Sequence, residues 1–105
     1  MIVSIRDDTL LACGFPDLRE GLHAFGITGI ELSVDRVFAV RSLVGAGKAD
    51  IRSPAALERV SSEAESAGLR ICALLLASRF DSPDEDREVA WHVKAIEAAH
   101  ALGAP

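Results

Sequence analysis

The stretch LRICALLLASRFDSP, Leu69–Pro83, joins an apolar run to an abruptly polar exit. Arg70 is the only charge among its first eight residues, and a run this short cannot cross a bilayer, which needs about 20 apolar residues. The run does not alternate polar with apolar residues, and it follows Gly68, a residue type that commonly ends helices. It therefore predicts a strand that is buried on both faces of a parallel sheet.

The polar exit of this strand, Ser78–Asp81, leads to a sequence that is typical of a helix start. Ser82 can cap the helix, Pro83 suits its first position, and Glu85 completes a capping box. In α/β proteins the loops that follow strand ends carry the chemistry. We therefore expect functional side chains at this exit.

Length, charge and cysteine content limit the classes of protein to consider. The chain has 105 residues, enough for one domain, and its net charge of −5 disfavours nucleic acid or an anionic membrane as a partner. Its first residues lack the basic segment and long apolar core of a signal peptide. Cys13 and Cys72 are isolated, which argues against a disulfide framework. We expect a cytoplasmic protein that binds neither nucleic acid nor membranes.

The chain repeats an order of strand, helix and glycine. Apolar segments at Met1–Ile5 and Ile27–Val34 predict two further strands, and Gly26, Gly68 and Gly103 each follow a helical segment. Right-handed crossovers would make the three strands parallel, which predicts an α/β fold. After the last glycine the pattern calls for a fourth strand. We therefore expect the whole chain to be a βαβαβα portion of a larger domain, truncated before strand 4.

The segments around these strands have less regular patterns. Arg6–Thr9 is the polar exit of the first predicted strand. Asp35–Arg52 contains two glycines and several charges, and Val37–Val40 predicts either a short helical turn or a segment packed over the end of the sheet. Long loops of this kind are often functional. Ser53 and Pro54 then predict the start of the next helix.

The last helical segment carries an apolar stripe at Val89, Val93, Ile96 and His100. This spacing predicts that the stripe faces the core. Trp91 is expected to anchor the helix in the core or against another helix.

Three segments carry a resemblance to a known family: LHAFGITGIEL at Leu22–Leu32, AESAGLRICALLL at Ala64–Leu76, and VKAIEAAHALGAP at Val93–Pro105. In this order they resemble the N-terminal part of the xylose-isomerase-like sugar phosphate isomerase/epimerase family. The resemblance covers nearly the whole chain except Asp35–Arg52. No single motif is diagnostic, and the ordered set carries the resemblance.

This resemblance implies a (β/α)8 TIM barrel of about 250 residues, of which the chain would supply the first three βα units. It implies a sugar or sugar phosphate substrate and proton transfer between adjacent sugar carbons. A divalent metal (Mg, Mn, Co or Zn) would be held by residues of the later strands, so no metal ligand is expected within this chain. The fragment alone is then expected to be inactive. The resemblance also admits a dehydratase or an abasic-site endonuclease of the same fold.

Four residues are candidates for substrate binding: Glu31, Ser78, Arg79 and Phe80. A carboxylate in an apolar strand must be paired or have its ionisation altered, so Glu31 either faces or supports the substrate site or forms a structural ion pair with an interior arginine such as Arg6. Ser78 lies at the exit of the third strand, where relatives carry polar residues. Arg79 could hold a phosphate or carboxylate by a forked contact, or be a solvated loop residue that pairs with Asp81. Phe80 could cover a sugar face or fill an apolar gap.

The irregular segment contains four cations, of which Arg36, Arg41 and Lys48 could meet an anionic substrate as part of a lid or remain solvated. Its Gly-Ala-Gly-Lys sequence does not fit a P-loop, because Ser42 occupies the first glycine position and Ala49 replaces the required serine or threonine.

Three histidines lie within helical segments, where their spacing does not suggest a metal site: His23, His92 and His100.

Two alternatives from other classes stay open. A half-barrel or chimera without catalytic activity could fold by oligomerising, because a three-stranded sheet has open edges. A small flavodoxin-like domain could bind a ligand at its strand ends, but it needs four or five strands, and the pattern predicts three.

Overall fold

The computed structural model describes residues 3–77 and 84–104, which form a mixed α/β structure. Within these ranges the elements are, in chain order, β1 (Ser4–Arg6), α1 (Asp7–Ala12), α2 (Leu18–Phe25), β2 (Gly29–Ser33), β3 (Ala39–Arg41), β4 (Lys48–Asp50), α3 (Pro54–Ala67), β5 (Arg70–Leu75) and α4 (Glu85–Ala101). No helix among the described residues is long and apolar enough to cross a membrane.

The central element is a three-stranded parallel sheet in the order β1-β2-β5. Its strands are the three that the sequence predicts, and the prediction of parallel strands is confirmed. Ile5, Ile30 and Ile71 are neighbours across the sheet. Between Ile30 and Glu31 the register of β2 against β5 shifts by one residue.

The helices pack against one face of this sheet. Ile30 and Leu32 of β2 point to the same face, and both belong to a single buried cluster with Leu22 of α2, Val60 of α3 and Trp91 of α4. The opposite face carries half-buried polar residues of the same strand. The prediction that β5 is buried on both faces is therefore wrong: Ile71 is its only buried residue, and the residues after it are half-buried.

Two helix boundaries follow directly from capping chemistry. The Ser53 hydroxyl accepts a hydrogen bond from the amide of Ala56, Pro54 takes the first position of α3, and Gly68 ends it with a φ of 69°. This left-handed conformation suits glycine because the residue has no Cβ. The predicted start and end of this helix are confirmed.

In the predicted polar exit Arg6–Thr9, Arg6 is the last residue of β1, and helix α1 begins at Asp7. Asp7 and Asp8 lie in its first turn, where carboxylates interact favourably with the positive end of the helix dipole. Leu10 of this helix is fully buried. The polar exit of β1 is therefore helical from Asp7 onward.

The irregular segment contains an antiparallel hairpin, β3–β4, in which Val40 pairs with Ala49. Both residues are buried. Phe38, which directly precedes β3, has a φ of 61°. The prediction of a helical turn at Val37–Val40 is wrong, because Ala39–Arg41 is extended and pairs with Lys48–Asp50.

Helix α4 differs from its prediction in its start and its buried face. It begins at Glu85, with the Asp84 side chain accepting a hydrogen bond from the amide of Arg87. Glu85 is therefore the first helical residue and not the third position of a capping box. The predicted cap and first position, Ser82 and Pro83, lie outside the described residues.

The buried face of α4 consists of Trp91, Ala95 and Ala98. The predicted core stripe is exposed instead, with 61% of Val89, 45% of Val93 and 71% of Ile96 accessible to solvent. The Trp91 indole N–H donates a hydrogen bond of 2.9 Å to the carbonyl of Asp35, which fixes the rotation of the helix. The indole therefore decides which face of α4 is buried, and the core prediction for Trp91 is confirmed.

Candidate functional site

Two carboxylates and two cations meet where the parallel strands end. Asp7 follows β1, Asp35 lies just beyond β2, and the hairpin places Arg41 and Lys48 beside them. In parallel α/β structures this edge of the sheet is where ligand sites are built. These four residues form the candidate site.

Asp7 is fully buried and receives three hydrogen bonds. Its carboxylate accepts from the amide of Asp8 at 2.8 Å, from the amide of Ser33 at 3.0 Å and from the Ser33 hydroxyl at 2.9 Å. The Arg41 guanidinium lies 3.6 Å away. A buried carboxylate is costly unless donors and a counter-charge compensate it, and here both are present. Asp7 thereby ties the end of β1 to the end of β2.

Asp35 is the second carboxylate and pairs with Lys48 at 2.9 Å. Its other oxygen accepts from the amides of Val37 and Ala39, each at 3.0 Å. Burial acts to raise the pKa of Asp35, but the Lys48 hydrogen bond, two amide hydrogen bonds and the Lys48 charge together hold that pKa below its ordinary value of 3.8. The ionised form is therefore favoured in the folded chain.

Asp35→Asn is expected to lower the free energy of unfolding by about 0.5–1 kcal/mol at about pH 6, the range for an exposed ion pair. Because the pKa of Asp35 is lowered by folding, its contribution is present above its ordinary value of 3.8 and is lost as the pH falls through the lowered folded value. Urea unfolding followed by circular dichroism should show the difference from wild type shrinking in acid. Lys48→Met should reproduce this trend, and parallel stability curves for wild type and Asp35→Asn would contradict it.

The hairpin places its two cations between two cavities. Arg41 and Lys48 are direct neighbours across β3 and β4. A cavity of about 90 Å³ lies on the side of Ser33 and Asp35. A larger one of about 190 Å³ is lined by both cations, by the turn between β3 and β4, and by three apolar residues, Leu11, Pro16 and Leu18.

The turn that lines the larger cavity contains the Gly-Ala-Gly-Lys sequence. It connects two antiparallel strands, whereas a P-loop connects a strand to a helix. The exclusion of a P-loop is therefore confirmed.

Glu31 is half-buried on the face of the sheet opposite the helices. The hydroxyl of Ser4, on the neighbouring strand, donates a hydrogen bond of 2.7 Å to its Oε2 atom. Arg6 pairs with Asp8 at 3.0 Å instead. The alternative in which Glu31 forms an ion pair with Arg6 is therefore wrong.

The other three predicted substrate-binding residues, Ser78, Arg79 and Phe80, lie outside the described residues. The neighbouring Arg36 is held by contacts to the protein itself: it donates to the carbonyl of Ala77 at 2.8 Å, pairs with Glu88, and lies 4.3 Å from the centre of the Trp91 ring. These contacts dock α4 on the loop after β2. Arg36 therefore differs from Arg41 and Lys48, which line the cavities.

The described residues do not form a metal site. Within residues 3–77 and 84–104, no group of three or more histidine, cysteine, aspartate or glutamate side chains could hold a metal ion. The three acids near the sheet edge already accept hydrogen bonds from protein donors: Glu31, Asp7 and Asp35. Because N–H and O–H donors already bind these carboxylate oxygens, the oxygens are not arranged as ligands of a divalent cation.

The sequence did not single out Asp7, the most deeply buried charge of the site. One signal was present, because two aspartates lie in the polar exit of the first predicted strand and Ser33 lies near the end of the next one. The sequence did not indicate that either aspartate is buried, since the Ser33 contact joins residues that are 26 positions apart.

Comparison with known proteins gave no match: no family model, no curated protein and no solved structure matches the chain. The resemblance to the xylose-isomerase-like family stays a prediction from the sequence.

Proposed function

We propose that this chain forms one sector of a (β/α)8 barrel enzyme that isomerises or epimerises a sugar or sugar phosphate by proton transfer between adjacent carbons. The observation that carries the proposal is the cluster of Asp7, Asp35, Arg41 and Lys48 at the C-terminal edge of the parallel sheet. Barrel enzymes bind their substrates at this edge. We further propose that the enzyme is cytoplasmic.

The order of the strands supports a barrel over a flavodoxin-like sheet. The three parallel strands follow one another in space as they do in sequence, β1-β2-β5. A doubly wound sheet reverses its strand order at a switch point and carries helices on both faces. Here Ile30 and Leu32 share one face with the buried residues of three helices.

In this proposal the helix-free face of the sheet lines the interior of the barrel. Glu31 lies on that face, and the Ser4 hydroxyl orients its carboxylate. Glu31 would then contact the hydroxyl groups of the sugar. Ser78, Arg79 and Phe80 would form a neighbouring wall, as the sequence predicts. These residues bind and orient the substrate.

We propose that the divalent metal (Mg, Mn, Co or Zn) is held by residues outside the described part of this chain. The local carboxylates are occupied by amide, hydroxyl and ammonium donors. No step of the reaction is therefore assigned to a metal at this edge.

Deuterium exchange tests the proposed reaction. The complete polypeptide that carries this sequence is incubated in D2O with each candidate metal and a panel of aldoses, ketoses and their phosphates. Proton NMR should show deuterium entering at the carbon next to the carbonyl, together with the isomer or epimer. A folded protein that exchanges no proton in any member of the panel would overturn the proposal.

Two variants sharpen this experiment. Glu31→Gln should lower kcat/KM about tenfold, because it weakens one charge-assisted hydrogen bond to the substrate. Glu65→Gln is the matched control, since Glu65 is exposed on α3. Equal activity of the two variants would remove Glu31 from the substrate site.

An oligomerising half-barrel without catalytic activity is the second candidate. The exposed stripe of Val89, Val93 and Ile96 on α4 favours it, because apolar stripes of this kind mark interaction surfaces. An oligomer that exchanges no deuterium in the same experiment would support this alternative.

A further inference from the structure

We infer that the cavity beside the hairpin turn binds a small oxyanion, the phosphate or carboxylate group of a ligand, between Arg41 and Lys48. This cavity of about 190 Å³ also contains Ser42 and the turn residues Gly45, Ala46 and Gly47 in its lining. If the ligand is a sugar phosphate, the inference rests on the proposed function. The anion site itself does not depend on it.

The two cations lie side by side on the hairpin, and both line the cavity. Arg41 and Lys48 are directly opposite on antiparallel strands, where like charges destabilise the pairing. Each has one carboxylate nearby, Asp7 for Arg41 and Asp35 for Lys48. No carboxylate is found among the described residues that line the larger cavity. Arg41 and Lys48 are therefore the charged residues of this lining.

Both cations keep donor groups available to a ligand. The Arg41 guanidinium lies 3.6 Å from Asp7, which is longer than a hydrogen bond, and 41% of the Arg41 side chain is exposed. Lys48 donates one hydrogen bond to Asp35, and 55% of its side chain is exposed. An ammonium carries three donors and a guanidinium five, so both can bind an oxyanion without losing their present partners.

The turn adds uncharged donors to the same cavity. Within the described part of the chain, the amides of Ala46 and Gly47 donate no backbone hydrogen bond. Ser42 is buried, and its hydroxyl would lie 3.4 Å from a Cβ atom at Gly47, so the turn approaches this hydroxyl closely. Successive amides in a turn beside cations form a concave site that favours anions.

Asp17, the N-cap residue of α2, contacts the turn but does not line the cavity. The Asp17 carboxylate accepts from the amide of Gly45 at 3.1 Å and from the amide of Glu20 at 2.8 Å. It caps α2 and braces the turn. Asp17 therefore holds Gly45 in place without occupying the donors of Arg41 or Lys48.

The opposite wall of the cavity limits the ligand. Leu11, Pro16 and Leu18 are apolar and offer no hydrogen bond from their side chains. A small ligand would direct its anionic end towards the hairpin and its carbon skeleton towards this wall. The site thus favours a phosphate or carboxylate on a short carbon chain over a large polyanion.

An NMR titration with inorganic phosphate tests the inference. In the ¹⁵N-labelled chain, the amide signals of Ala46 and Gly47 should shift and saturate with phosphate, and sodium chloride at equal ionic strength should not reproduce the shifts. Lys48→Met should weaken phosphate binding about tenfold, the loss expected for one charge-assisted hydrogen bond. Lys94→Met, which removes an exposed lysine of α4, should leave binding unchanged.

Arg41→Gln should weaken binding at least as much as Lys48→Met, with Arg52→Gln as the matched control outside the cavity. Arg41→Gln also removes the counter-charge of the buried Asp7, so Lys48→Met carries the test if that variant fails to fold. Shifts that do not saturate, or that are unchanged in Lys48→Met, would overturn the inference. The proposed isomerase activity would be unaffected by this result, because the deuterium-exchange experiment tests it separately.

A second arm of the titration distinguishes the sources of the anion. A ketose phosphate that binds more tightly than inorganic phosphate would support a substrate subsite. Equal binding of the two would support an anion site independent of the sugar. Binding of the unphosphorylated ketose at the same amides, with no response to phosphate, would contradict the inference.

Discussion

Asp7→Ala is expected to lower the free energy of unfolding by about 3 kcal/mol, because it removes a buried, compensated charge. The Ser33 amide and hydroxyl and the Asp8 amide would lose their acceptor, and Arg41 would lose its nearest counter-charge. These hydrogen bonds are part-buried, and a donor shielded from water without an acceptor costs more than the hydrogen bond itself contributed. Chemical denaturation of wild type and variant measures the difference.

The adjacent aspartate supplies the control. Asp8 pairs with Arg6 at the surface, so Asp8→Ala should change the stability by less than about 1 kcal/mol, the range of exposed ion pairs. Equal effects of the two substitutions would contradict the burial of Asp7 and the bridge it forms between β1 and β2.

Ile30→Ala is expected to lower the free energy of unfolding by about 2–5 kcal/mol, the range for removing a buried aliphatic side chain and leaving a cavity. Ile30 is fully buried at the centre of the sheet, between Ile5 and Ile71 on its two neighbours. Its loss removes contacts in the layer between the sheet and the helices. The midpoint of urea unfolding should fall with little change in the slope of the transition.

The same substitution at Ile96 is the matched comparison. Ile96 is exposed on α4, and alanine favours helices, so Ile96→Ala should stay within about 0.5 kcal/mol of wild type. A loss at Ile96 as large as the loss at Ile30 would show that another surface covers α4 in solution.

The parallel strands and the main helix boundaries could be predicted because local chemistry determines them. Gly68 separates a helix from an apolar run, and Ser53-Pro54 fits the start of a helix whatever surrounds it. The order of these signals along the chain was sufficient to predict three parallel strands.

The buried face of α4 could not be predicted because a distant contact determines it. The spacing of Val89, Val93 and Ile96 is typical of a core-facing stripe, yet the hydrogen bond from Trp91 to the Asp35 carbonyl joins residues that are 56 positions apart. Periodicity identifies an apolar face, and tertiary contacts decide whether that face is covered.

The candidate site was only partly predictable for the same reason. Arg41 and Lys48 were recognised as cations that could meet an anion, but their alignment depends on a hairpin of two three-residue strands. Strands this short show too little alternation to be recognised. The role of Asp7 depends on Ser33, which lies on another strand.

The fluorescence of Trp91 can report on the candidate site without an added label. The sequence contains one tryptophan and no tyrosine. Fluorescence excited at the long-wavelength edge of the protein's ultraviolet absorption therefore comes from this indole alone. The indole binds the backbone of Asp35, whose side chain binds Lys48, and the Arg36 guanidinium lies over its ring. A rearrangement at the strand ends would therefore change the emission spectrum of the unlabelled protein before the rest of the fold loosens.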